Sequence, residues 1–135
     1  MKYLLDTNIL SETVRAKPDR GVKNWLQEVP SEALYISVLT MGEIRRGIEK
    51  LGDSKRKSHL ITWLEHDLPK WFGSNVLPIS LEVAERWGYI TSTVHSLVAV
   101  DTLLAATALT HNLKMVTRNI KDFKIPGLEI INPFD

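Results

Sequence analysis

Short apolar runs alternate with longer amphipathic stretches along this chain of 135 residues. The apolar runs have the length and the Leu, Ile, Val and Tyr content of buried strands. The stretches between them repeat apolar residues every three or four positions, which is typical of helices. Because strands that alternate with helices build parallel sheets covered by helices, the pattern predicts an α/β domain. We expect a mainly parallel central sheet of four to five strands flanked by helices.

Turn and capping residues give the expected bounds of these elements. The predicted strands cover residues 2–5, 33–37, 75–79, 114–117 and 128–131. The side chains predicted to cap or begin helices are Asp6 or Thr7, Asp19, Ser37 or Thr40, Asp53, Ser80 and Asp101. The first helix is expected to extend to about Arg15, and the helix that begins at Asp53 to about Trp71.

Composition narrows the kinds of site that the chain can hold. There is no cysteine, which excludes disulfides and thiolate metal sites. No apolar run approaches the ~18 residues of a membrane span, and the start lacks the apolar core of a secretory signal. We therefore expect a single domain over residues 1–135, cytoplasmic and with no membrane partner. The formal net charge is only +1, so nucleic-acid binding would need a local basic patch.

Four polar side chains lie at predicted strand ends or in the helices that follow, and one of them, Glu43, lies about a turn and a half into its helix. They are Asp6, Glu43, Asp101 and Asn119. Because the carboxyl ends of parallel strands meet at one edge of a sheet, we expect these side chains to face one crevice. Taken singly, each has a structural explanation: helix caps for the two aspartates, an ion pair with Arg46 for the glutamate, and a turn for the asparagine.

Taken together, the three carboxylates indicate a metal site. Carboxylates that converge without a cation repel one another, and a divalent cation removes that cost. Mg²⁺ prefers carboxylate and water oxygens, and Mn²⁺ accepts the same ligands. Such an ion activates water and stabilises a phosphodiester under attack. We therefore predict a metal-dependent nuclease with Asp6, Asp101 and Glu43 as metal ligands and Asn119 as a further catalytic residue.

Four ordered segments of the chain resemble one known family. "LLDTNILSE", "TMGEIRRGIEKL", "VDTLLAATAL" and "MVTRNIKDF" resemble the signature segments of PIN-domain ribonucleases, in particular the VapC toxins of bacterial toxin–antitoxin pairs. The ending "IINPFD" resembles the FitB-like branch. The resemblance implies a three-layer PIN-like fold and a Mg²⁺-dependent endoribonuclease toxin, with transfer RNA as one candidate target. It also implies a homodimer, a VapB-type antitoxin that forms a hetero-oligomer with it, and contact with DNA only through that antitoxin.

The resemblance also assigns roles to matching positions. Asp6, Glu43 and Asp101 match the three metal-binding carboxylates of the family. Asn119 stands where many relatives carry Asp, so the resemblance leaves open whether the site takes one metal or two. The approach to the third acid, "VHSLVAVD", also replaces a longer approach that often contains glycine and proline in relatives.

Further positions are expected to support the site. Thr7, Asn8 and Thr117 match polar residues that hold acids and waters in place in the family. Asp122 lies three residues beyond the asparagine and is a further candidate, although its "DF" setting is also typical of a turn.

A basic stretch supplies candidate contacts to RNA phosphates. Its cations are Arg45, Arg46, Lys50, Lys55, Arg56 and Lys57. They outnumber the acids of residues 45–57, Glu49 and Asp53, by six to two. A solvated helix end would have the same composition, but beside a nuclease site these side chains are expected to bind phosphates. Arg118 is a further candidate because it adjoins the predicted site.

Two other functions remain open from the sequence. A catalytically weak PIN-type RNA-binding regulator would keep the acids but lose metal binding through Asn119. A PIN nuclease acting on DNA would use the same metal chemistry. The residues themselves do not distinguish an RNA substrate from a DNA substrate, so the choice of RNA rests on the family resemblance.

Overall fold

The central sheet has five strands, all parallel, in the order β3-β2-β1-β4-β5. The computed structural model describes residues 1–95 and 98–135. The strands are β1 (Tyr3–Leu5), β2 (Leu34–Ser37), β3 (Val76–Leu77), β4 (Lys114–Val116) and β5 (Ile130–Ile131). The sheet confirms the predicted α/β architecture, although each strand is shorter than expected.

The central strand β1 pairs with a neighbour on each side. Tyr3 is in register with Leu34 of β2 and with Lys114 of β4. The backbone N–H of Asp6 continues the second pairing by donating to the carbonyl of Val116 at 2.9 Å. The residues that follow β1, β2 and β4 therefore come together at one edge of the sheet.

Helices cover both faces of the sheet. They are α1 (Thr7–Glu12), α2 (Arg20–Glu28), α3 (Val38–Glu49), α4 (Lys55–Thr62), α5 (Leu68–Phe72), α6 (Leu81–Thr93) and α7 (Ala99–Thr110). The π-helical turn Trp63–Asp67 joins α4 to α5, and one of the short 3₁₀ helices, Ile120–Phe123, follows β4. None of the helices in the described parts of the chain has the length and hydrophobicity needed to cross a membrane.

Alternate residues of the strands supply two hydrophobic cores. Leu5 and Val116 pack with residues of α1 to α5 on one face of the sheet. Leu4 and Met115 pack with residues of α6 and α7 on the other. All four side chains are fully buried. The alternation follows from the two-residue period of a strand, and it makes the three layers that the family resemblance implied.

Several helix boundaries differ from the sequence-based expectation. The first helix ends at Glu12, because the next residues form turns. The cap of α4 is Ser54, whose hydroxyl accepts from the N–H of Lys57 at 3.1 Å; the prediction that Asp53 begins this helix was wrong. Asp53 is fully exposed and lies outside the helix.

The helix that carries the third predicted acid also begins earlier than expected. α7 begins at Ala99, with Val98 at the cap position, so Asp101 lies inside the first turn and the alternative that it caps the helix was wrong. The predicted change in the approach "VHSLVAVD" falls partly on residues 96 and 97, outside the described residues. That the chain forms a single domain stays a prediction.

Candidate active site

Asp6 is a buried acid at the point where β1 ends. Its side chain is 7% exposed and lies at the N-cap of α1, where Oδ1 accepts from the N–H of Thr7 at 2.7 Å. Oδ2 accepts from the Thr117 hydroxyl at 2.8 Å and from the Asn8 amide at 3.2 Å. Burial raises the pKa of Asp6, and these hydrogen bonds oppose the rise. The carboxylate is thus fixed in one orientation by three donors.

Thr7 links the first acid to the second. Its hydroxyl donates to Oε1 of Glu43, at 2.7 Å, across the gap between α1 and α3. Of the two candidate caps of α1, Asp6 is therefore the cap, and the Thr7 hydroxyl is engaged elsewhere. Glu43 is exposed. The sequence also allowed a purely structural role for Glu43 in an ion pair with Arg46, but the described part of the chain has no such pair.

Asp101 is a half-exposed acid close to the other two. Partial burial, then the negative charges of Asp6, Asp122 and Glu43, raise the pKa of Asp101 to about 6. Asp6, Glu43, Asp101 and Asn119 line one pocket, although they are spread over most of the chain. The convergence expected from the sequence is therefore present in the folded protein.

The segment after β4 contributes polar groups to the same place. The Thr117 hydroxyl is buried, contacts Asp6, and accepts from the N–H of Asn119 at 3.0 Å. The Asn8 side-chain oxygen accepts from the N–H of Arg118 at 3.2 Å. Asn119 lines the pocket, whereas Asp122 is exposed on the following 3₁₀ helix and acts on Asp101 through its charge.

These groups line an open pocket of about 430 Å³. Besides the expected residues, its lining includes Ser11, Glu12, Arg15 and Phe134, which the sequence did not single out. Glu12 is 6% exposed and accepts from the N–H of Asp19 at 2.7 Å, and Arg15 pairs with it at 3.4 Å. No sequence signal separates such an acid from an ordinary exposed helix residue, whereas the position of Phe134 in the ending "INPFD" was a usable clue.

The basic stretch 45–57 does not line this pocket. Two of its cations form ion pairs with acids that do not line the pocket. Arg45 pairs with Glu49 and Glu65, and Lys57 lies within 4 Å of Glu49 and Asp53. Arg118, by contrast, lies at the pocket as expected. A role for the basic stretch in RNA binding stays a prediction and would have to act outside the pocket.

The side chains in the pocket offer oxygen ligands for a metal ion but do not form a complete coordination site. Within residues 1–95 and 98–135, no three His, Asp or Glu side chains are grouped so that they could hold a metal ion. Asp6, Glu43 and Asp101 line the same pocket, and only Asp6 among them is buried. Assignment of these three as metal ligands therefore stays a prediction.

Comparison with known proteins identifies the family. The family model described as "PIN domain" matches residues 3–126. The chain belongs to the PIN-domain family. This PIN domain is similar to the VapC ribonuclease Y4jK of Sinorhizobium fredii, with 32% identity over 98% of the chain and 97% of the relative. It is also similar to the toxin FitB of Neisseria gonorrhoeae, with 33% identity over 97% of each chain.

Solved structures give the same assignment. The crystal structure of FitAcB from Neisseria gonorrhoeae matches this PIN domain with a TM-score of 0.91 and 33% identity over 97% of both chains. A toxin–antitoxin complex from Klebsiella pneumoniae matches with a TM-score of 0.73 and 30% identity over 99% of both chains. The resemblance to VapC-type and FitB-like toxins that the sequence motifs indicated is thus confirmed.

Proposed function

We propose that the protein is the ribonuclease toxin of a VapBC-type toxin–antitoxin module and that it hydrolyses RNA phosphodiester bonds with Mg²⁺. The observation that carries the proposal is the pocket lined by Asp6, Glu43 and Asp101, where burial and then the negative charges of Asp6, Asp122 and Glu43 raise the pKa of Asp101 to about 6. Acids that lie together in this way repel one another, and a bound cation would remove that cost. The similarity to VapC ribonucleases supplies the class of substrate.

The donor set fits Mg²⁺, although no three acids are grouped for it. Magnesium is commonly held by one or two carboxylates and completes its shell with water, so Asp6 and Asp101 suffice as protein ligands. Glu43 is exposed and already lines the pocket, where the Thr7 hydroxyl donates to one of its oxygens. Asn119 offers a neutral oxygen, which favours one ion over two. Mn²⁺ fits the same oxygens.

Several polar residues orient the acids that would bind the metal ion and water. Thr117, Asn8 and the N–H of Thr7 donate to the Asp6 carboxylate and so orient it toward a bound ion or water. Thr7 holds one oxygen of Glu43 and leaves the other for water. When bound, Mg²⁺ supplies stabilisation of the developing phosphate charge and lowers the pKa of water.

We infer the partners from the relatives. The structures similar to this chain include complexes of FitAB and of VapBC with DNA fragments. The protein is accordingly proposed to bind a VapB-type antitoxin, to form a homodimer within that assembly and to meet DNA only through the antitoxin. Transfer RNA as the target, and a cytoplasmic location, follow from the family resemblance and the composition.

An assay of RNA cleavage tests the proposal. Antitoxin-free protein is incubated with total RNA and Mg²⁺, with EDTA, and as the variants Asp101→Asn and Asp67→Asn. Asp67 is an exposed acid remote from the pocket lining and is the matched control. We expect cleavage by the wild type and by Asp67→Asn, and loss of at least about a hundredfold with EDTA or Asp101→Asn, as for removal of one catalytic electrostatic group.

Each other outcome has a definite meaning. Cleavage that survives EDTA excludes the metal mechanism. Binding of RNA without cleavage by the wild type favours a catalytically weak RNA-binding regulator. Cleavage of single-stranded DNA at the same rate as RNA favours a PIN nuclease acting on DNA.

A further inference from the structure

The last residues of the chain are anchored beside the acidic pocket. A Cβ at Gly21 would lie 2.2 Å from the carbonyl oxygen of Pro133 and 2.9 Å from the backbone nitrogen of Asp135, so only glycine permits this approach. The N–H of Asp135 donates to Oδ2 of Asp19 at 3.2 Å, and Asp19 is also the cap of α2. The tail is therefore fixed to the start of α2.

This anchoring places an aromatic ring at the pocket. The N–H of Phe134 donates to Oδ1 of Asn132 at 3.0 Å, and its side chain packs partly against the core beneath α1 to α5. The ring nevertheless remains part of the pocket lining. The Arg118 guanidinium carbon lies 5.0 Å from the ring centroid, within the range of a cation–π contact.

The charges around the pocket give Arg118 a specific position. Asp6, Glu12, Glu43 and Asp101 line the pocket together with two cations, Arg15 and Arg118. Arg15 pairs with the buried Glu12 at 3.4 Å.

Arg118 is exposed and makes no ion pair within 4 Å in the part of the chain that the structure describes. Its guanidinium is therefore the pocket cation available to a phosphate, and it lies over an aromatic ring.

We propose that Phe134 and the Arg118 guanidinium that lies over its ring form a nucleotide platform: a base of single-stranded RNA stacks on this pair, and the adjoining phosphate bonds to the edge of the guanidinium. The platform rests on the proposed function and adds to it the residues that bind the substrate beside the acids. An aromatic face stacks on any base, and arginine contributes both charge and stacking. A single-stranded substrate fits because bases held in a duplex do not expose their faces.

Kinetics with a short single-stranded RNA test the platform. Phe134→Leu keeps an apolar side chain of similar reach against the core but has no π face, and Phe134→Trp keeps the face. We expect Phe134→Leu to raise KM about tenfold with little change in kcat, as for loss of one stacked base, and Phe134→Trp to keep KM within about twofold. Arg118→Lys keeps the charge but not the planar group, and is expected to raise KM by a smaller factor.

Gly21→Ala tests the anchoring of the tail. We expect it to raise KM as Phe134→Leu does, because the tail must move to make room for the methyl group. Gly47→Ala in α3 is the matched control, since a Cβ there meets nothing within 4 Å. Thermal melting of each variant identifies any loss caused by misfolding, and rescue by Trp at position 134 excludes a purely structural effect.

A binding measurement separates this inference from the proposed activity. RNA carrying 2-aminopurine is titrated into Asp101→Asn with and without Phe134→Leu, and stacking of the base on the platform is expected to quench its fluorescence. Cleavage by the wild type with no effect of Phe134→Leu on KM or quenching overturns the platform and leaves the nuclease intact. If the wild type does not cleave, quenching that Phe134→Leu abolishes still supports the platform, and absence of quenching overturns it.

Discussion

A single carboxylate, that of Asp6, joins the fold to the site. It caps α1 through one oxygen and accepts from Thr117 and Asn8 through the other. Its pKa is raised by burial, so the charged form is held at a cost that the neighbouring donors reduce. The identity of this residue is therefore expected to affect stability and, under the proposed function, activity by separate routes.

Substitutions at residue 6 separate these routes. Asp6→Ala removes the cap and leaves the Thr117 hydroxyl without its acceptor, and we expect a loss of about 1–3 kcal/mol in the free energy of unfolding. Asp6→Asn keeps an oxygen for the cap and removes the buried charge, so its stability should lie within about 1 kcal/mol of the wild type. Urea denaturation measures both. Equal losses for the two variants would contradict this account.

The raised pKa of Asp101 predicts a pH dependence. Because its pKa in the fold is about 6, above the value of about 3.9 usual in unfolded chains, protonation is favoured in the folded state. Its contribution to stability is therefore complete at pH below about 3.9 and is lost as the pH rises through about 6. The loss should be modest, because the half-exposed side chain is screened by solvent.

Carboxyl NMR of the metal-free protein checks this expectation. Asp101 should titrate with a midpoint near 6. Asp122→Asn should lower the midpoint by removing one of the nearby charges, and Asp67→Asn should leave it unchanged. A midpoint near 4 in the wild type would show that neither burial nor the neighbouring acids raise the pKa of Asp101.

At the scale of elements, local sequence signals predicted where helices begin better than how long helices and strands are. Asp19 and Ser80 cap α2 and α6 as expected, because each is a short polar side chain directly before an apolar stripe. Asp53 and Ser54 both suit a cap, and only the tertiary position of α4 decides between them. The π-helical turn Trp63–Asp67 lacked any signal, since its residues continue the apolar spacing of the flanking helices.

The residues of the candidate site also differ in how far local sequence patterns predict them. The acids were predictable because Asp6 and Asp101 lie close to a strand end or a helix start that sequence patterns mark, and Glu43 lies in the helix that directly follows β2. Glu12 and Arg15 were not, because burial of an acid depends on how the turn after α1 folds back onto Asp19. The contact between Phe134 and Arg118 joins two segments through the tail's fit at Gly21, which no local pattern reports.

The α4 cap gives a direct test at this scale. Ser54→Ala removes the hydroxyl that accepts from the N–H of Lys57 and should lower the free energy of unfolding by about 1 kcal/mol. Asp53→Ala removes only a fully exposed acid 3.9 Å from Lys57 and should leave stability unchanged within error. Thermal or urea denaturation distinguishes them. A larger loss of stability in Asp53→Ala than in Ser54→Ala would show that Asp53 is the cap of α4.

At the scale of the whole molecule, one strand connects both cores. Leu4 packs with α6 and α7, and Leu5 packs with the helices of the opposite face, yet they are neighbours in β1. The two hydrophobic layers are therefore expected to unfold together, as one domain.

Truncating either leucine tests this coupling. Leu4→Ala and Leu5→Ala, each at a fully buried position, should cost about 2–5 kcal/mol. In both variants, circular dichroism and tryptophan fluorescence should report one coincident unfolding transition. Separate transitions in either variant would show that the layers fold independently and that the single-domain prediction is wrong.

The shared role of Asp6 also bears on how such chains diverge. Asparagine differs from aspartate by a single nucleotide in the gene, and at this position it keeps the helix start while removing a charge. A lineage can therefore silence the acid without losing the folded protein, and natural selection is then free to retain the surface around it for recognition alone. Catalytic silence in a descendant of this fold would be expected to begin at the residue that joins its first strand to its first helix.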